Sequence, residues 1–191
     1  LIGHNILRHD LPHLLAVRPQ LAALSRSPID TLWLNPLAFP RNPYHHLVKH
    51  HHGGRLQAGH VNDPELDARL VFQVLENQLA ALERLNGDEP DAVTAYHYLT
   101  TRMDNAGGFD AVFRHVRKAK APPPAAAREA ILRLLNGRAC GRRIRQVSER
   151  IAAAHLGWPA AYALSWILVA GADSVMPPWV RAQFREAALI V

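Results

Sequence analysis

The chain has 191 residues, 49% of them hydrophobic, which is enough for one large domain or two small ones around a real core and too apolar for bulk disorder. A single cysteine, Cys140, excludes a disulfide framework within the chain and any zinc centre built from several thiolates, and it suits a reducing cytosol. The net charge of +6 is concentrated: Arg114 to Arg150 hold eleven Lys or Arg against two acids, Glu129 and Glu149, which leaves the remainder at minus three.

The chain starts LIGHNILRHDLPHL, where Leu1 and Ile2 can end a buried strand, Gly3 can turn the chain and Asn5 can cap a short helix through its side-chain oxygen. Asp10 then lies inside an otherwise apolar and basic run. The stretch SPIDTLWLNPLAF reads as a strand through Ile29, Leu32, Trp33 and Leu34, with Asn35-Pro36 as a turn. A helix-like run, RNPYHHLVKHHHGG, ends at Gly53-Gly54.

Residues 61–87 carry the clearest helix signal. Asp63 stands as N-cap, Pro64 at the first helical position and Glu65 in the first turn, while Leu66, Leu70, Val74 and Leu75 repeat at helical spacing until Asn86-Gly87. Alternating strand and helix predict an α/β domain over 1–87. Beyond GDEP the pattern is helical: about 91–103, 108–119, 125–136, 141–156, 160–171 and 178–188, a basic all-α connector domain over 88–191. The most apolar stretch, 158–172, is too short to span a bilayer and holds Pro159, so it reads as a buried helix. No secretory signal and no membrane segment is visible, and a cytoplasmic location is expected.

Two acids stand among apolar helical positions, Asp10 and Asp67. The plain reading makes Asp10 an N-cap for a helix starting Leu11-Pro12, and Asp67 an exposed helix residue. Their order, GHNILRHD, IDTLWL, NDPELDA, resembles the later two thirds of a ribonuclease-H-like 3′-5′ exonuclease of the DEDD type. The chain as a whole, including LWLNPLAFPRNPYHHLVKHH and AYALSWILVAGADSVMPPWVRAQF, resembles the exonuclease-like N-terminal region of bacterial RecQ-type DNA helicase fusions. The family's Asp-x-Glu strand is missing, and Asn62 occupies the place of its third-motif histidine.

The resemblance implies a partial ribonuclease-H-like α/β fold followed by an all-α region. It implies metal ligation by Asp10 and Asp67, two Mg2+ or Mn2+ ions in the complete site, and His60 or Asn62 orienting the attacking water. It implies single-stranded 3′ ends of DNA as partner, His4 and Asn5 beside the strand, and a helicase motor in the same parent chain. No G-x-x-x-x-G-K-[ST] phosphate loop occurs in the 191 residues.

The basic segment adds cations for the phosphate backbone: Arg114, Arg117, Lys118, Lys120, Arg142, Arg143 and Arg145. His45, His46, His50, His51 and His52 form a polar helix face rather than a zinc centre, since no cysteine or H-E-x-x-H pattern accompanies them. Trp158, Trp166 and Trp179 lie among alanines and leucines, where packing competes with base stacking. Two alternatives to a nuclease stay open: a non-catalytic module of nuclease shape that guides DNA to a motor, and a protein-interaction adaptor docking through its C-terminal helices.

Overall fold

A computed structural model describes residues 1–42, 51–52, 55–56, 64–138, 145, 149 and 157–170. Strand β1 (Ile2–Gly3) pairs in parallel with β2 (Ile29–Asp30), Ile2 opposite Ile29 and Gly3 opposite Asp30. Between them run a π-helical turn (Ile6–Asp10), helix α1 (Leu11–Val17) and a 3-10 segment (Pro19–Arg26). Helix α2 (Thr31–Ala38) follows β2 directly. The two-residue strands β3 (His51–His52) and β4 (Arg55–Leu56) pair antiparallel. Five helices complete the described chain: α3 (Pro64–Asp88), α4 (Pro90–Thr100), α5 (Gly107–Arg117), α6 (Pro124–Leu135) and α7 (Gly157–Ala170).

The expected α/β exonuclease fold is overturned by this architecture, which is predominantly helical. Among the described residues the strands are two pairs of two-residue segments, so there is no sheet on which a ribonuclease-H-like site can be built. The strand expected through Leu34 stops at Asp30 because the Asp30 carboxylate accepts the Leu32 amide at 3.0 Å and starts a helix. Every residue from Thr31 to Leu37 is buried, and a segment buried all round shows no periodicity to separate helix from strand. His51 and His52, expected at the end of a helix, form a strand.

Proline chemistry explains how α7 holds α2. Pro40 has no N–H to give the Pro36 carbonyl four residues back, and the Ser165 hydroxyl of α7 donates to that carbonyl instead, at 2.9 Å. The Trp158 indole N–H donates to the Trp33 carbonyl at 2.6 Å, and the two indole rings meet edge to face, 4.6 Å between centroids.

Helix α4 is the centre of the molecule. It packs against α3, α5, α6 and α7 and buries Ala92, Val93, Ala95, Tyr96, His97, Leu99 and Thr100. Its alanines Ala92 and Ala95 and the α6 alanines Ala127 and Ala130 are all inaccessible to solvent, small side chains that let the two helices approach closely. One hydrophobic cluster runs from Leu32 to Ile167 and takes residues from both sides of position 88. No helix of the described residues is long and apolar enough to cross a membrane.

Candidate functional site

The N-terminal candidates come together around Asp30, a residue outside the expected site. Its carboxylate is 1% exposed and accepts three backbone amides, Asn5 and Leu32 on Oδ1 and Leu7 on Oδ2, each at 3.0 Å. Burial pushes its carboxyl above the ordinary 3.8, more strongly than the amides of Leu7, Asn5 and Leu32 pull it down. Asn5 itself sits in the left-handed region, φ 65°, and makes no side-chain capping bond. His4 Nδ1 lies 3.0 Å from the Thr31 hydroxyl. Asn5 in this arrangement gives its backbone amide to Asp30, and His4 meets Thr31.

The two acids expected to bind metal have ordinary settings. Asp10 is exposed at the start of α1, with Pro12 following, and its carboxylate lies 3.1 Å from His9 Nδ1. Asp67 lies in the first turn of α3 with Glu65, where the helix dipole favours acids. Among the described residues, no group of three or more His, Cys, Asp or Glu side chains is placed to hold a metal ion. His60, Asn62, Arg142 and Arg143 lie outside the described residues, as do His45, His46, His50, Cys140 and Trp179.

A second cluster, which the sequence reading missed, joins α4 to α5. The buried His97 ring sits between Asp110 and Arg117: Nε2 is 2.9 Å from Asp110 Oδ1, and Nδ1 is 2.8 Å from Arg117 Nη1. Phe113 stacks on the ring at 5.8 Å. A guanidinium only donates, so Nδ1 carries the lone pair and the ring proton is on Nε2, donated to the Asp110 carboxylate. Burial lowers the His97 pKa from 6.5; the Asp110 hydrogen bond opposes this, and the charges of Arg117 and Arg114 reinforce it. Partial burial works against charge on Asp110, but hydrogen bonds from His97 and Arg114 outweigh it and hold the carboxyl below 3.8. The visible signal was a lone histidine on the face Val93, Tyr96, His97, Thr100 of α4, all four of them buried.

The basic segment divides into paired and unpaired cations. Arg114 Nε pairs with Asp110 Oδ2 at 2.7 Å, Arg133 with Asp91 at 2.7 Å, and Arg138 with Glu89 at 3.1 Å. Arg117 Nη1 also donates to the Lys120 carbonyl at 3.0 Å, across the turn in which Lys118 adopts φ 52°. Lys118, Lys120 and Arg128 are exposed and pair with no carboxylate among the described residues. Arg145 is exposed as well. Trp158 is buried and Trp166 packs against the core, which removes Trp158 from base stacking.

A surface cavity of about 320 Å³ opens between α2, α3, α4 and α7, and Leu37, Phe39, Arg84, Asp88, Tyr96 and Leu168 are among its lining residues. No family model matches the chain, and neither a curated protein nor a solved structure matches it.

Proposed function

We propose that this chain is a helical, non-catalytic nucleic-acid-binding module that holds DNA by its phosphate backbone. The observation that carries this reading is the turn and helix after α5, where Lys118, Lys120 and Arg128 are exposed without a carboxylate partner among the described residues. They belong to the stretch from Arg114 to Arg150 with eleven cations and two acids. Such cations position a strand without reading its bases, and their affinity depends steeply on salt. Single-stranded DNA is the expected partner, and a helicase motor in the same parent chain is the machine such a module would feed.

The catalytic version of this reading has less support. It needs Asp10 and Asp67 to share a magnesium site, and the sheet that would position them is replaced by helices.

The test is fluorescence anisotropy of an end-labelled single strand titrated with the chain at several salt concentrations, in parallel with gel analysis of the same strand with magnesium. The expected outcome is binding that weakens linearly in log-log form with salt, with the strand intact. Absence of binding at low salt overturns the proposal. Shortening of the strand that stops on chelation replaces it with the nuclease.

A further inference from the structure

The Asp110–His97–Arg117 cluster holds more than a buried polar group needs. Both ring nitrogens of His97 are engaged, and the two engagements demand opposite things: Asp110 takes a proton from Nε2–H, and Arg117 requires a bare lone pair on Nδ1. Only the neutral ring in one tautomer satisfies both. An imidazolium carries N–H on both nitrogens, so it keeps Asp110 and repels Arg117. The same Arg117 nitrogen also donates to the Lys120 carbonyl, so whatever dislodges the guanidinium also releases the turn from Lys118 to Lys120.

We propose that His97 is an acid-operated latch on this turn: the neutral ring holds Arg117 against α4, and protonation expels the guanidinium, adding Arg117 to the free cations Lys118 and Lys120 and tightening the grip on a polyanion. This rests on the nucleic-acid reading for its consequence, though not for the latch itself. The step is a proton transfer from solvent to Nδ1, with no other bond made or broken.

The charged groups acting on the ring all come from α5: Asp110, Arg114 and Arg117. Helices α3, α6 and α7, which pack on the other sides of α4, contribute none among the described residues. Asp110 is itself paired with Arg114 at 2.7 Å, which fixes its carboxylate as an anion beside the ring. Burial of the ring, reinforced by the Arg117 and Arg114 charges, outweighs that anion, so the switch works on the acid side of 6.5.

The test has two independent readouts. In the free protein, long-range nitrogen-proton NMR should show His97 as the Nε2–H tautomer at neutral pH. On acidification the Arg117 side-chain N–H signals should move with the same midpoint as the His97 ring. A His97→Gln variant, whose amide can accept from Arg117 and donate to Asp110 without titrating, should show no such midpoint.

For binding, wild-type affinity for a single-stranded oligonucleotide should rise through that midpoint by about threefold more than the affinity of His97→Gln, with a salt slope steeper by about 0.7, the value of one phosphate contact. Arg117→Gln should remove the difference. An Nδ1–H tautomer at neutral pH, or Arg117 signals that stay put while His97 charges, overturns the latch whatever the DNA does; this readout needs no variant to fold. A latch midpoint in a protein that binds no DNA at any pH supports the latch and overturns the nucleic-acid reading alone. A midpoint with DNA binding that is equally pH-dependent in wild type and both variants overturns the coupling between them.

Discussion

The guanidinium of Arg133 grips the carboxylate of Asp91 with two hydrogen bonds, Nε to Oδ2 at 2.7 Å and Nη2 to Oδ1 at 2.8 Å, joining the last turn of α6 to the first turn of α4. Each charge also sits at the helix end its sign favours, the acid near an N-terminus and the base near a C-terminus. Five residues beyond Arg133, Arg138 makes a second bridge to Glu89, two residues before Asp91, at 3.1 Å. A share of the basic segment thus belongs to internal pairing, and a count of its cations overstates what is left for a partner.

The Asp91 pair predicts a titration shift. The Arg133 hydrogen bond, helped by its charge and opposed by slight burial, holds the Asp91 carboxyl below 3.8. A depressed carboxyl contributes stability that is complete above 3.8 and is lost as pH falls through the lowered value. Arg133→Gln should move the Asp91 midpoint up toward 3.8, read by carboxyl-carbon NMR. An unchanged midpoint means the fork is not populated in solution.

Asp30 predicts a loss of stability on truncation. Its carboxylate caps α2 and also satisfies the amides of Asn5 and Leu7, so Asp30→Ala removes the cap and leaves two further N–H groups without their acceptor. The combined cost should be about 2–4 kcal/mol, from cap loss and unsatisfied donors together, partly offset by relief of a buried charge. Urea denaturation of wild type and variant measures it, and a change below about 0.5 kcal/mol rejects this account.

What could be read from the sequence follows from how local each interaction is. Pro64, Pro90 and Pro124 mark the starts of α3, α4 and α6, because a proline in the first helical turn gives up no hydrogen bond and its fixed φ suits the helix. Trp33 and Leu34 misled because their segment is buried on all sides, and a short apolar run shows the same pattern in either secondary structure. Asp30 was invisible as an organiser because two of its three donors come from 23 and 25 residues upstream. The His97 cluster depends on partners 13 and 20 residues away on another helix, a meeting decided by helix packing and not by spacing. The resemblance to an exonuclease rested on short motifs around Asp10 and Asp67, and short motifs carry no information about the sheet they require.

Two glycines predict opposite effects of the same substitution. Gly107 and Gly108 lie in the first turn of α5, where a Cβ on Gly108 would overlap the Pro28 carbonyl oxygen and carbon. Gly108→Ala should cost about 1–3 kcal/mol through forced backbone displacement. Gly87, near the end of α3, has nothing within 4 Å of such a Cβ. Gly87→Ala should stabilise by about 0.4–1 kcal/mol by restricting the unfolded chain. Thermal denaturation of both variants checks the pair, and equal signs contradict the packing of α5 on Pro28.

His97 predicts the direction of pH dependence near neutrality. Because its folded pKa lies below 6.5, the unfolded chain binds more protons over that interval, and stability rises with pH there. The contribution is complete above 6.5 and is lost as pH falls from there to the folded value. Chemical denaturation at a series of pH values should show this slope in wild type and a shallower one in His97→Gln. Parallel curves mean that His97 is as easily charged in the folded protein as in the unfolded one.

The free cations after α5 predict a graded loss of salt dependence. Lys118 closes α5 in a left-handed conformation, and Lys120 precedes the Ala121-Pro122-Pro123-Pro124 connector, whose prolines extend the chain and end in the first turn of α6. Both ammonium groups therefore stand on backbone that is locally constrained, which reduces the entropy lost on contact with a strand. Each contact with a single-strand phosphate contributes about 0.7 to the slope of log affinity against log salt, so the Lys118→Gln, Lys120→Gln double variant should lower the slope by about 1.4. The effect should be uniform across oligonucleotide sequences, because phosphate contacts carry no base information. Arg133→Gln serves as the comparison: its guanidinium is already engaged with Asp91, so its removal should change the slope much less than the lysine pair does. A slope that drops equally in both places the strand on α6 instead of the turn.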